Sequence, residues 1–271
     1  MLISLHPERK VEGRQAGFMK TVFRILFPLI ALAAPVRSSA QLPPDLVRLD
    51  TMSLMDTARG RLIPVAIYST AHVRADRQFP VLLSHGYNDN LPGSYLHYTY
   101  LAEFLARKGF FVVSIQHELP GDEPLAMKGD LRKLRRPNWE RGVQNLLLTL
   151  DKMKRAHPEV DFDHTTLIGH SNGGDISALF AEQHPELVEN LITLDNRRMP
   201  LPRTGRPRVL SLRSSDAPAD QGVLPTPEEQ ALNGIRIIPL PDVKHNEMSD
   251  RASETQRSGI TRRVSDFISS R

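Results

Sequence analysis

Six short runs with few charges or none constrain the fold more than any other feature of the chain: FPVLLS (Phe79–Ser84), FFVVSIQ (Phe110–Gln116), TTLI (Thr165–Ile168), LITL (Leu191–Leu194), VLSLR (Val209–Arg213) and IRIIP (Ile235–Pro239). A strand that is apolar on successive residues has no face it can show to water, so it must be covered on both sides. Between the runs lie helical stripes. Leu101, Phe104 and Leu105 share a face and are followed by Gly109; Val143, Leu146, Leu147 and Leu150 form a second stripe, and Ile176, Leu179 and Phe180 a third. Ile260, Val264, Phe267 and Ile268 mark a last helix. Alternation of this kind specifies an α/β domain with a mostly parallel central sheet and helices on both faces. Ahead of it, LVRLDTMSL, the turn at Asp56–Gly60 and RLIPVAIYS read as an antiparallel N-terminal hairpin.

Two stretches fall outside this alternation. Residues 118–137 form a polar insertion with the basic run Arg132–Arg136, of a length typical of lids, and Asn138 is placed to cap the helix that follows. Residues 1–40 read as a signal peptide. Met19–Ala40 has a cationic start, an apolar stretch from Ile25 to Val36, and Ser38 and Ala40 spaced as a cleavage site requires, so translation from Met19 is the simpler expectation. That stretch is shorter than the roughly 20 residues a spanning helix needs. The expected product is a single domain over residues 41–271, secreted or periplasmic, with no membrane span in the mature chain.

Charge and cysteine content narrow the chemistry. The formal charge is +4, but six of the 35 Lys and Arg and only two of the 31 Asp and Glu lie in residues 1–40, leaving 29 of each in the remainder. A neutral body gives no reason to expect a nucleic-acid partner. Zero cysteines exclude disulfides, thiolate metal sites and a thiol nucleophile. No HExxH pattern or other metal-ligand spacing occurs, so no metal is expected.

Gly169–Gly173 reads GHSNG and fits G-x-S-x-G. At ordinary Gly and Ser usage that pattern arises by chance in about one chain in ten of this length, so context decides its weight. Here an apolar strand runs into it and an amphipathic helix leaves it. Ser171 is thereby set in a tight turn at a helix N-terminus, where free N–H groups and the helix dipole favour developing negative charge. A serine hydroxyl needs a base, and His245, a few residues beyond Ile235–Pro239, is the best placed histidine. His170 belongs to the turn itself; His117, His157, His164 and His184 lie at element ends. For the carboxylate that orients the imidazole, Asp216 follows the Val209–Arg213 strand, Asp195 ends the Leu191–Leu194 strand one element nearer the serine, and Asp220 is a third choice. Donors to an oxyanion are expected from the backbone N–H groups of Asn172 and of Tyr87, in SHGYND.

FPVLLSHG, LAEFLARKGFFVVSIQHE, LIGHSNGG and KHNEMSD together resemble the serine α/β-hydrolase superfamily, and within it the platelet-activating-factor acetylhydrolase and dienelactone-hydrolase-like esterases, over Arg61 to Asp250. The resemblance implies an α/β-hydrolase fold and cofactor-free hydrolysis of a small-molecule carboxylic ester by Ser171, with His245 and an acid. In the acetylhydrolases the acid sits in a context similar to TLDNRRMPL, which keeps Asp195 open beside Asp216. Dienelactone hydrolase itself uses a cysteine, so its activity does not carry over. A thioesterase or peptidase of the same fold, or a non-catalytic binding domain, is the alternative.

Overall fold

The computed structural model describes residues 46–70 and 78–270; the expected leader over residues 1–40 lies outside them. Eight strands form one sheet in the order β1-β2-β4-β3-β5-β6-β7-β8, where β1 is Val47–Asp56, β2 Arg61–Thr70, β3 Pro80–Ser84, β4 Phe111–Ile115, β5 Thr166–His170, β6 Asn190–Leu194, β7 Arg208–Arg213 and β8 Arg236–Pro239. The β1–β2 hairpin is antiparallel and β2 runs antiparallel to β4. Every later pairing is parallel. The six low-charge runs thus became the six parallel strands, and the hairpin lies at the edge as expected.

Every residue of β3, β4, β5 and β6 is buried. Successive side chains leave a strand on opposite faces, and the two faces feed two cores. Leu82, Val113, Leu167 and Leu191 pack with Trp139, Val143 and Leu146 of α2 (Leu131–Ala156) and with Ile176 and Phe180 of α3 (Asn172–Gln183). Val81, Leu83, Val112 and Ile192 pack with Leu101 and Leu105 of α1 (Thr99–Arg107) and with Ile260, Val264 and Phe267 of the last helix, Glu254–Ser269.

The second helix differs from the sequence expectation. It starts at Leu131, runs through Pro137, and is capped by Asp130, whose carboxylate accepts the Lys133 N–H at 3.2 Å; Asn138 is inside it. The basic run therefore forms its first turns, with Arg135 buried and donating to the Ala126 carbonyl at 2.8 Å. Residues 116–130 connect β4 to this helix and are pinned by Asp122, which takes both terminal nitrogens of Arg61. A further short helix, α4 (Pro227–Asn233), was not anticipated, and Glu254–Ser269 is therefore α5. No helix among the described residues is long and apolar enough to cross a membrane.

Candidate active site

The C-terminal ends of the parallel strands deliver the side chains of interest to one rim. Ser171 follows β5 directly and caps α3 with φ 51° and ψ −119°, a conformation that L-residues adopt only when the surroundings force it. The flanking glycines allow this. A Cβ on Gly173 would overlap the backbone oxygens of Ser84 and His85 at the end of β3, and one on Gly169 would overlap the Gly173 carbonyl. The nucleophile turn is thus pressed between two strands by contacts that no larger residue permits.

The Ser171 hydroxyl lies 2.9 Å from Nε2 of His245, in a short turn after β8. On the other side of the ring, Nδ1 lies 2.6 Å from Oδ2 of Asp195. With the imidazole neutral, Nδ1–H donates to the carboxylate and Nε2 faces the serine O–H. Of the three carboxylates weighed from sequence, Asp195 is the one on the ring. Asp216, the first choice, is corrected to a different place: exposed in the loop after β7, it accepts the backbone N–H of His245 at 2.7 Å. Asp220 pairs with Arg198. The topology explains the outcome, since β6 is the immediate neighbour of β5 and Asp195 ends it fully buried.

A buried carboxylate must be compensated. Burial opposes ionisation of Asp195, but His245, Arg213 at 2.9 Å from Oδ1, and Ser214 together outweigh it and hold the carboxyl below its ordinary range. Ser214 gives its hydroxyl to Oδ2 at 2.6 Å and its N–H to Oδ1 at 3.0 Å. Neither Arg213 nor Ser214 was picked out from sequence; an arginine closing an otherwise apolar strand was the available signal.

His170 turns the site from behind. Its Nε2–H donates to the His245 carbonyl at 3.0 Å, its Nδ1 accepts the Tyr98 hydroxyl at 2.7 Å, and that hydroxyl accepts the Gly86 N–H at 3.2 Å. Burial, reinforced by the neighbouring His245, pushes His170 down to about 3, so the ring is neutral, as this pattern requires. Tyr98, lying before α1, was missed.

The candidate oxyanion donors are the N–H groups of Tyr87 and Asn172, and neither has an acceptor among the described residues. Tyr87 and Gly86 border, with Ser171, His170 and His245, a cleft of about 260 Å³. Residues 75–194 match the family model described as serine aminopeptidase, S33. The sequence matches none of the curated proteins. Among solved structures, the esterase Est22 superposes with a TM-score of 0.62 at 12% identity, covering 83% of this chain and 81% of that one. A hyperthermophilic esterase from the archaeon Pyrobaculum calidifontis gives 0.60 at 14% identity, over 82% and 83% of the two chains. A candidate dienelactone hydrolase from Klebsiella pneumoniae gives 0.56 at 13%, over 83% and 100%. The chain has the α/β-hydrolase fold. In that fold's terms, the turn after β5 carries Ser171, the end of β6 carries the acid, and the segment after β8 carries the histidine.

Proposed function

We propose that the chain is a serine hydrolase that cleaves carboxylic esters through an acyl-enzyme on Ser171. The observation that carries this reading is the unbroken line Asp195–His245–Ser171, at 2.6 and 2.9 Å, beside two backbone N–H groups with no other acceptor.

In this reading the Ser171 oxygen attacks the ester carbon while its proton passes to Nε2 of His245. Asp195 stays ionised, holds the tautomer and stabilises the imidazolium. The carbonyl oxygen takes up negative charge between the N–H groups of Tyr87 and Asn172, fixed in place before reaction. Collapse of the tetrahedral intermediate breaks the bond to the alcohol oxygen, which leaves with the proton from Nε2. Water, deprotonated by the same nitrogen, then attacks the acyl-enzyme and releases the acid, restoring Ser171.

Turnover of p-nitrophenyl esters tests this. Ser171→Ala is expected to lower kcat by about 10⁶, leaving the modest catalysis of binding and oxyanion donors. Full activity in that variant would refute the mechanism. The matched family model, described as an aminopeptidase, favours a second reading in which the same groups cleave a peptide bond. Aminoacyl p-nitroanilides assayed beside the esters separate the two. The leader over residues 1–40 is part of the same proposal: the product would be exported, and a mature chain starting near Gln41, read by N-terminal sequencing, is the result that supports it.

A further inference from the structure

His117 and Glu118 are consecutive residues just past β4, away from the line of Ser171, His245 and Asp195, and both are buried. Each grips a different arm of the candidate oxyanion site. The backbone N–H of His117 donates to Nε2 of His85 at 3.0 Å. With Nε2 accepting, the His85 proton sits on Nδ1, which lies 2.7 Å from the Gly86 carbonyl oxygen and donates to it. That oxygen shares a peptide unit with the Tyr87 N–H. The unit is trans, as Arg206–Pro207 is the sole cis bond among the described residues. In a trans peptide the C=O and N–H point in opposite directions, so fixing one aims the other.

The second arm is held by side chains alone. Asn172 gives one amide hydrogen to Glu118 Oε1 at 2.9 Å and the other to Asn138 Oδ1 at 2.9 Å, while its own oxygen accepts the Trp139 indole N–H at 2.9 Å. Indole only donates, which fixes the orientation of the Asn172 amide. Asn138 closes the ring by donating to Glu118 Oε1 at 3.1 Å. Asn172 is therefore saturated on its side chain and unclaimed at its backbone N–H. Glu118 is held at some cost: Oε2 is buried with no hydrogen-bond donor among the described residues, and the nearest ring nitrogen, His85 Nε2 at 3.7 Å, is already an acceptor. A carboxyl buried on those terms is poorly explained by stability alone.

We propose that His117–Glu118 is a clamp that sets the relative position of the two oxyanion donors, with Glu118 and His85 as positioning residues. The inference rests on the acyl-transfer reading above and adds to it which residues align the donors. Its consequence is that loss of Glu118 weakens binding of the tetrahedral species while leaving binding of the planar ester intact.

The test compares wild type, Glu118→Ala, Glu118→Gln and Asn138→Ala, with active enzyme counted by fluorophosphonate titration. Kinetics on p-nitrophenyl acetate are set beside inhibition by an alkylboronic acid, whose serine adduct is tetrahedral. Glu118→Ala is expected to lower kcat by about 10- to 100-fold with KM within about threefold, and to weaken boronate inhibition by the same factor. Glu118→Gln keeps an oxygen acceptor at the Oε1 position and is expected to recover kcat to within about threefold of wild type. If Glu118→Ala does not fold, the half-buried Asn138→Ala decides in its place, with a loss of about threefold or more in kcat and in boronate affinity alike. Unchanged kcat in the alanine variant that is read, or a fall in kcat without a matching fall in boronate affinity, overturns the clamp. Wild type that fluorophosphonate does not label would instead overturn the underlying mechanism, so the two failures are distinct.

Discussion

Asp195 occupies left-handed backbone, φ 61°, at a fully buried strand end, where a carboxylate carries both conformational strain and desolvation. Those costs are met by four donors and yield a fixed anion against His245. Replacing Asp195 by Asn is expected to lower kcat by about 10⁴, because the imidazole loses the acceptor that sets its tautomer. Asp216→Asn, which touches only the backbone N–H of His245, is expected to change kcat by less than about tenfold. Equal losses in the two variants, measured on one ester, would contradict the assignment. Buried titratable groups also shape stability. His170, depressed to about 3, stays neutral in the folded chain while the unfolded chain takes a proton near the ordinary 6.5. Between those values the unfolded state binds more protons, so His170 contributes stability above 6.5 that is lost on acidification, by about 1.4 kcal/mol per pH unit. Asp175 has the opposite sign. Burial raises it to about 6, against three backbone N–H bonds to Oδ1, so its contribution is present below its ordinary 3.8 and lost as pH rises through 6. From pH 6 to 4, urea denaturation midpoints are therefore expected to fall more steeply in Asp175→Asn and less steeply in His170→Gln than in wild type. Parallel profiles in all three would contradict these assignments.

Among the elements, the parallel strands were legible because burial on both faces leaves no room for polar residues, and each fell within a residue or two of its apolar run. α2 was misread at its start for an equally physical reason. Proline removes an N–H and crowds the preceding turn, so Pro137 reads as a boundary. Here the Asp130 cap and the buried Arg135 hold the first turns in place despite it. The exposed Pro137 leaves the Lys133 carbonyl without its helical donor, so Pro137→Ala is expected to stabilise the fold by about 1–2 kcal/mol with unchanged turnover. Denaturant unfolding checks this, and destabilisation would mean that the helix needs the ring there. α4 escaped notice because none of its seven residues is buried, leaving no apolar stripe to detect. The site was legible in proportion to how local its signals are. Ser171 announces itself by its glycines and His245 by its place after the last strand. Choosing Asp195 over Asp216 depends on which strand lies beside β5, which is a property of the sheet. Glu118 sits in a polar stretch whose burial only the packing of α2 reveals.

For the whole molecule, the parallel sheet is what lets distant positions cooperate. Strands that run in one direction end on one rim, so segments following β3, β5, β6, β7 and β8 bring Gly86, Ser171, Asp195, Ser214 and His245 together on a scaffold with a core on each face. Ligand sites at the carboxyl ends of such strands are a general consequence of this architecture. The central claim is that this convergence activates a single serine. Reaction of the whole protein with a fluorophosphonate, followed by intact mass and peptide mapping, tests it most directly. One adduct per chain on Ser171, formed at least 100-fold more slowly when His245 is replaced by Ala, is the expected result. No adduct, or an adduct on Ser171 whose rate ignores His245, would contradict it.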